Sequence, residues 1–279
     1  MISIDSLGFG YKKHQPVLQQ ITMDVPAGHS VGVLGANGVG KTTLLRLLSG
    51  TLSPTEGRLD VLGHRPRDRS VDFYQQIHVV PEEYELPYVT GAQYLQRFSC
   101  FYPDFDHQRF AEIVDSFELN VDRSLNDMSF GQKKKFVVAF GLATGSKLIL
   151  LDEPTNGMDI PSKTVFRDAI IKHQRPDQTL MISTHQVRDL ESIIDSVLLM
   201  NQSTCQWLDL TTLSDSIHQI QGPVEGDVIY SEPRMGAQLS LAKGQAPFPT
   251  EIDLELLFNA FHYNLSGLID AVSGTKEVI

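Results

Sequence analysis

Apolar and polar residues alternate along the first part of the chain. Up to about residue 34 the apolar positions form short runs with a period of two, interrupted by the turn signal Pro-Ala-Gly at 26–28. A period of two places alternate side chains on one buried face of a strand. The pattern therefore predicts antiparallel strands ahead of the first glycine-rich segment.

Helical spacing replaces this alternation in the middle of the chain. Between about residues 84 and 146 apolar residues recur three and four positions apart, as in FDHQRFAEIVDSFEL. From 148 to 200 apolar strand-like runs alternate with helix-like segments, which is typical of α/β folds. After about residue 209 Pro and Gly become frequent, in GPVEGDVIYSEPRMGAQ and KGQAPFPT, and the segment DLELLFNAFHYN predicts a closing amphipathic helix.

A glycine-rich octapeptide follows the apolar run at 30–34. Residues 35–42 read GANGVGKT, which matches the pattern GxxxxGK[ST], and the helix-like run TLLRLLS comes next. In such a loop the glycines permit φ values that a Cβ would forbid, so that backbone N–H groups surround phosphate oxygens at a helix N-terminus. An ordinary glycine-rich turn before a helix is the alternative. The preceding strand, the following helix and the complete spacing favour binding of ATP or GTP.

Side chains of this loop have separate expected roles. Gly35, Gly38 and Gly40 are all expected to need unusual φ values, Lys41 to stabilise charge at the β- and γ-phosphates, and the Thr42 hydroxyl to ligate Mg²⁺. The residues expected to contact the nucleotide here are Gly35, Asn37, Gly38, Gly40, Lys41, Thr42 and Thr43.

A second chemical motif closes a buried strand. Residues 147–153 read KLILLDE, an apolar run that ends in two carboxylates. We expect Asp152 to bind Mg²⁺ and Glu153, on the other side of the strand, to accept a proton from an attacking water. Paired acids at a strand end also serve as helix caps, but a cap does not explain the apolar run before them.

Between these motifs lies MSFGQ, at 128–132, followed by a helix-like run. With it the chain resembles the ATP-binding cassette (ABC) ATPases, whose signature is commonly LSGGQ. The resemblance implies that Ser129, Gly131 and Gln132 bind the γ-phosphate of a nucleotide held by the opposite subunit. Phe130 departs from the usual glycine.

The resemblance extends through further motifs of the family. PTNGMD, ending at Asp159, is similar to the D-loop of the dimer seam, and His185 follows the strand TLMIST as the family's switch histidine does. Tyr11 resembles the aromatic residue that stacks on adenine, and Phe9 is the alternative for that role. Glu82 stands where the family has the Q-loop glutamine. We expect Glu82 to approach the nucleotide and to ligate magnesium through water, and its negative charge to slow hydrolysis or make it depend on a partner.

The fold implied is α/β: a P-loop NTPase cassette with an N-terminal antiparallel β subdomain, a RecA-like core and an inserted helical subdomain. The expected boundaries are 1–208 for the nucleotide-binding domain, about 84–146 for the helical subdomain and 209–279 for a C-terminal extension. The apolar face of the last helix is expected to pack on the cassette.

Composition narrows the class of partners. The 279 residues are 41% hydrophobic and carry a formal net charge of −11, which argues against a nucleic-acid partner. The run Lys133–Lys135 is expected to form a solvated helix face. No stretch approaches the roughly 20 apolar residues that span a bilayer, and no signal pattern opens the chain, so a cytoplasmic location is expected. Cys100 and Cys205 lack the spacing of metal ligands or disulfide frameworks and are expected to be structural.

The resemblance implies an ATPase subunit that forms a homodimer or heterodimer and powers transport through a separate transmembrane permease at the inner face of the membrane. DLELLF and the PEE at 81–83 are similar to ABC-2-type exporters. The aromatic segment 83–102 lies where the family receives the permease. Two alternatives stay open: an ABC ATPase without a transport role, and a nucleotide-sensing regulator with low turnover.

Overall fold

The computed structural model describes residues 1–201, 204–223, 226–234, 236–244 and 252–273. Most of the segment KGQAPFPT, whose Pro and Gly content interrupts the regular pattern, lies outside the described residues. Within the described residues, no helix combines the length and the apolar character needed to cross a membrane.

A six-stranded sheet forms the centre of the molecule, with the strand order β5-β6-β7-β3-β8-β9. Its strands are parallel except β9, which is antiparallel to β8. Four of them are buried along their whole length, as expected for parallel strands covered on both faces. The strand bounds are β3 Ser30–Gly35, β5 Ile77–Val80, β6 Leu148–Asp152, β7 Thr179–Thr184, β8 Ser196–Met200 and β9 Cys205–Asp209.

The N-terminal sheet has three antiparallel strands in the order β2-β1-β4, which are β1 Ile2–Phe9, β2 Leu18–Val25 and β4 Glu56–Val61. The predicted antiparallel strands are therefore present at β1 and β2. The prediction was wrong for Ser30–Gly35, because that strand is buried on both faces and joins the parallel sheet. The third antiparallel strand comes instead from beyond the first helix.

Helices flank the central sheet. They are α1 Lys41–Leu48, the short α2 Val71–Gln75, α6 Ile160–His173 and the single turn α7 Leu210–Leu213. Residues 91–143 supply three more helices: α3 Gly91–Phe98, α4 His107–Ser116 and α5 Phe130–Ala143. Aromatic rings fill the space between these three, with Phe140 contacting Tyr94, Phe105 and Phe110 at centroid distances of 5.2, 5.0 and 6.4 Å. Such aromatic contacts stabilise the packing beyond the area that they bury.

The C-terminal part forms a second antiparallel sheet in the order β10-β12-β11 and two helices. Its elements are β10 Ile217–Gln221, β11 Val228–Arg234, β12 Ala237–Lys243, α8 Leu254–Tyr263 and α9 Leu265–Ser273. The apolar face of α8 is buried against this sheet and against the short helical turn Val187–Asp189 that follows β7. The contact with Val187–Asp189 agrees with the predicted packing on the cassette, but most of the apolar face packs on the C-terminal sheet, and a further helix, α9, follows the segment that was expected to close the chain.

Candidate nucleotide-binding site

The predicted phosphate-binding, carboxylate and switch residues follow three neighbouring parallel strands. Gly35 ends β3, Asp152 ends β6, and Thr184 ends β7, which lies between the other two in the sheet. Parallel strands bring their carboxyl ends to one edge, where ligands of α/β sheets bind. The topology therefore assembles one site from segments about 150 residues apart.

The glycines of the loop serve two different purposes. Gly38 and Gly40 have φ values of +78° and +113°, in the region that an L side chain rarely adopts. Gly35 does not have a positive φ, so the prediction that it needs an unusual φ value was wrong. It is needed for close packing instead, because an added Cβ would lie 2.7 Å from Val39 Cγ1 and 2.9 Å from the Met200 carbonyl oxygen.

Lys41 begins α1 and is buried beside the loop. Its Nζ donates to the carbonyl oxygens of Gly35 and Ala36, at 2.7 and 3.4 Å. Burial lowers the Lys41 pKa, and the carboxylates of Glu153 and Asp152 oppose that shift. The first turn of α1 contains no acidic residue, so its N–H groups and the lysine present positive charge to an anion.

The two carboxylates at the end of β6 are almost fully buried and differ in their partners. Asp152 Oδ1 accepts a hydrogen bond from the Ser183 hydroxyl. Glu153 Oε1 lies 2.9 Å from His185 Nδ1, and Glu153 Oε2 accepts from the Thr184 hydroxyl at 3.2 Å. Glu153 has a φ of +45°, which is unusual for a residue with a side chain and typical of strained functional sites.

Oxygen donors for a divalent cation are present but few. Within the parts of the chain that the structure describes, no cluster of three or more His, Cys, Asp or Glu side chains could hold a metal ion. The predicted ligands are the Thr42 hydroxyl and the carboxylates of Asp152 and Glu82. This set fits Mg²⁺, which nucleotide-binding proteins hold with one or two carboxylates together with phosphates and water.

The signature segment caps its own helix. The Ser129 hydroxyl accepts from the Gln132 backbone N–H at 3.3 Å, and Gln132 Oε1 accepts from the Ser129 backbone N–H at 3.0 Å, forming a capping box. Ser129 is exposed at the tip of α5, and its hydroxyl hydrogen can still be donated. Gly131 carries no strain, and a Cβ there would meet no atom within 4 Å.

The lysine run after the signature was expected to form a solvated helix face, and this prediction was wrong. Lys134 is completely buried, whereas Lys133 and Lys135 are half-buried. The Lys134 Nζ donates to the Glu82 carbonyl oxygen at 2.9 Å, and the Glu82 carboxylate accepts from Asn156 Nδ2 at 3.1 Å. The charge run gave no sign of this, because a run of lysines on a helix usually faces water.

Two further predicted residues lie at the margins of the site. The Tyr11 ring is 56% exposed and its hydroxyl lies 3.2 Å from Thr43 Oγ1, whereas Phe9 is buried beneath it. Of the two, only Tyr11 offers a ring face to a base. Asp159 caps α6 by accepting from the Ser162 backbone N–H at 2.9 Å, and hydrogen bonding from the Ser162 side chain and then from its backbone lowers the Asp159 pKa.

Sequence patterns did not indicate that the C-terminal part reaches this site. A cleft is lined by residues of the phosphate-binding loop and His185 on one side and by β11 and α8 on the other. Arg234 pairs there with Asp253 and Glu255, and Glu255 also contacts Arg188, three residues after His185. Only tertiary folding brings these charges together.

A glycine-rich loop before a helix, a carboxylate pair at the end of β6 and a parallel sheet define a P-loop NTPase. The family model "ABC transporter" matches residues 18–156. Three relatives are each 30% identical to this chain. The match to YdbJ of Bacillus subtilis, an uncharacterised ABC transporter ATP-binding protein, covers 67% of this chain and 62% of YdbJ. The match to the ABC transporter ATP-binding protein NatA of the same organism covers 68% of this chain and 80% of NatA. The match to the molybdate import ATP-binding protein MolC of Haemophilus influenzae covers 72% of this chain and 79% of MolC.

The fold agrees with this assignment. The ATP-binding cassette MJ0796, solved as a dimer in a post-hydrolysis state with ADP and Pi, superposes with a TM-score of 0.65 at 20% identity, over 75% of this chain and 99% of that one. The chain therefore belongs to the ABC transporter ATP-binding proteins and is an ABC ATPase. The predicted fold class is confirmed.

Proposed function

We propose that this chain hydrolyses MgATP as one subunit of a cassette dimer and thereby drives export through a separate transmembrane permease. The observation that carries the proposal is the convergence of Lys41, Asp152, Glu153 and His185 at one sheet edge. The similarity of DLELLF and PEE to ABC-2-type exporters supports the direction of transport. MolC, an importer by name, has the same 30% identity to this chain as NatA and YdbJ, and the proposed direction of transport rests on those two motifs alone.

The arrangement of these residues supports attack of a water molecule on the γ-phosphate. Bound magnesium would neutralise charge on the β- and γ-phosphates, with Thr42, Asp152 and Glu82 as its protein ligands. Glu153 is held by His185 and Thr184 and accepts the proton of the attacking water. Lys41 and the N–H groups of the loop stabilise the negative charge that develops in the transition state.

A single subunit offers only part of the site. Ser129 is exposed at the tip of α5, with a hydroxyl hydrogen available for an oxygen of a nucleotide on another copy. We assign Ser129, Gly131 and Gln132 to that contact in trans and Asp159 to the seam. Tyr11 is assigned to adenine. Glu153→Gln should trap a dimer with MgATP, seen by size-exclusion chromatography, whereas Glu112→Gln on the exposed face of α4 should not. A strictly monomeric Glu153→Gln protein saturated with MgATP contradicts the proposal.

The proposed organisation is a nucleotide-binding domain at 1–208, with its helical subdomain at about 84–146, and an extension at 209–279. The extension lies beside the phosphate-binding loop through the cleft of β11 and α8. We place the protein at the cytoplasmic face of the membrane, held there by the permease. Its net charge of −11 supports a function without nucleic acid.

The proposed permease contact is an apolar groove beside the helical subdomain. It is lined by Val71, Tyr74, Gln75, His78, Tyr94, Phe98, Cys100, Phe101, Tyr102 and Phe140. The predicted segment 83–102 supplies half of these residues, and the other half, at 71–78 and 140, lies outside the prediction. Tyr74 and Phe101 are 41% and 61% exposed, and such apolar surface suits a helix of a membrane protein.

Cys100 allows a direct test of this surface. It is an exposed free thiol in the groove, and the other cysteine, Cys205, is half-buried. In a Cys205→Ser background, a bulky maleimide on Cys100 should abolish co-purification with a membrane protein from detergent extracts and leave ATP binding intact. Unchanged co-purification after complete labelling would exclude this groove as the docking surface.

A further inference from the structure

The completely buried ammonium group of Lys134 lies among three segments of the proposed catalytic site. Its Nζ donates to the Glu82 carbonyl oxygen at 2.9 Å and lies 5.7 Å from the centre of the Tyr84 ring and 5.5 Å from that of Phe130. A buried ammonium is costly unless nearby charges and hydrogen bonds compensate for lost water. The lysine is therefore placed where negative charge is concentrated.

That negative charge comes from three carboxylates of the proposed site. Burial lowers the Lys134 pKa, and the carboxylates of Glu82, Asp152 and Glu153, in that order of size, oppose the shift. Glu82 has the largest effect of the three, and it is the residue that stands in place of the family's glutamine. An unopposed carboxylate at that position would repel a triphosphate. Lys134 supplies the opposing charge from the signature helix.

The same lysine connects loops that would otherwise move independently. The Glu82 carboxylate accepts from Asn156 of the predicted D-loop, so the main chain of Glu82 is held by the signature helix and its side chain by the D-loop. Phe130 also packs on the D-loop, since a Cβ at Gly157 would lie 3.0 Å from its ring. Phe130 and Glu82 are the two departures from the family pattern, and both contact this lysine.

We propose that Lys134 is a positioning residue for ATP hydrolysis, which holds Glu82 at the metal and γ-phosphate site. The proposal rests on the proposed function, because it takes Glu82 as a ligand of magnesium. It adds that the signature helix of each subunit controls the metal site of the same subunit, in addition to its contact with the nucleotide of the partner.

A metal-affinity measurement separates positioning from a plain charge effect. The full-length protein is loaded with a non-hydrolysable ATP analogue, and Mn²⁺ affinity is measured by electron paramagnetic resonance. Removing a nearby cation would by itself tighten binding of Mn²⁺. If Lys134 instead positions Glu82, Lys134→Met should weaken Mn²⁺ binding at least fivefold and lower kcat about tenfold. Unchanged or tighter Mn²⁺ binding overturns the proposal.

A double-mutant cycle with Glu82→Ala supplies the second criterion. Without a side-chain ligand at position 82 to hold in place, Lys134→Met should change Mn²⁺ affinity by less than twofold in the Glu82→Ala background. Equal changes in both backgrounds would mean a merely structural role and overturn the proposal. Lys133→Met, one position away on the same helix and half-buried, is the matched control and should resemble the wild type.

Two further measurements keep the outcomes distinct. If Lys134→Met does not fold, Lys134→Arg and Lys134→Gln replace it. The arginine variant should then keep Mn²⁺ affinity within about threefold of the wild type and the glutamine variant should not, whereas equal affinity in both overturns the proposal. Absence of magnesium-dependent hydrolysis in the wild-type protein would instead reject the proposed function itself.

Discussion

Glu153 Oε1 lies 2.9 Å from Nδ1 of His185, so the residue after β6 is tied to the residue after β7. A carboxylate offers only acceptors, and the ring nitrogen that faces it therefore carries the hydrogen. The contact fixes the orientation of both side chains at the edge of the sheet where the glycine-rich loop begins.

Glu153→Gln should remove the proton acceptor and keep the shape of the site. We expect kcat for ATP hydrolysis to fall by roughly 10²- to 10⁴-fold, the range typical of general-base catalysis, while the affinity for MgATP stays within about threefold. Single-turnover hydrolysis and equilibrium binding of a fluorescent ATP analogue measure the two quantities. A residual rate above a tenth of the wild-type rate would assign the base to another residue.

His185→Ala should act through the orientation of Glu153 and through lost charge stabilisation. We expect a loss in kcat of roughly 10²-fold, with a smaller change in KM, because the interaction strengthens mainly in the transition state. His107→Ala, on α4 and away from the site, is the matched histidine control. If the two variants hydrolyse ATP equally fast, the switch role fails.

The convergence of these residues at one edge of the sheet could be predicted because each part is local. A glycine-rich loop, a DE pair and a histidine each follow an apolar strand, and parallel pairing brings strand ends to one edge. The burial of Lys134 and its contact with Glu82 could not be predicted, because Glu82 lies about 50 residues earlier in the chain. The pairing of β4 with β1 and the approach of Arg234 to the site are likewise long-range contacts that leave no periodic pattern.

Gly157→Ala tests the contact between the signature and the D-loop. Gly157 has a φ of +76°, and an added Cβ would lie 3.0 Å from the Phe130 ring. We expect a loss of about 1–3 kcal/mol in the free energy of unfolding, measured with urea. Gly63→Ala has nearly the same φ, +78°, but no atom within 4 Å of its Cβ, so it isolates the dihedral cost. Equal losses in both variants would show that the Phe130 contact contributes nothing.

Arg234→Met should weaken the attachment of the C-terminal part. Its guanidinium contacts Glu232, Asp253 and Glu255. Removing it leaves three partly buried carboxylates close together, and we expect a loss of roughly 1–3 kcal/mol in stability. Arg67→Met breaks a long, exposed pair with Asp68 and should cost less than about 0.5 kcal/mol. Limited proteolysis should then cleave after residue 209 faster in Arg234→Met only, and equal cleavage would contradict the assigned role.

We expect His78 to make the folding stability depend on pH. Its Nδ1 lies 2.9 Å from the Tyr102 hydroxyl, and burial lowers its pKa from 6.5 to about 4. A histidine with a lowered folded-state pKa contributes full stability above the unfolded value of 6.5 and loses it as pH falls toward 4. Between pH 7.5 and 5.5 we expect His78 to account for a loss of roughly 1 kcal/mol, because each pKa unit corresponds to about 1.4 kcal/mol. Urea unfolding of the wild type and of His78→Gln at both pH values measures this loss as a difference, since the other histidines are common to both. Parallel pH profiles for the two proteins would mean that His78 accepts a proton in the folded state as easily as in the unfolded chain.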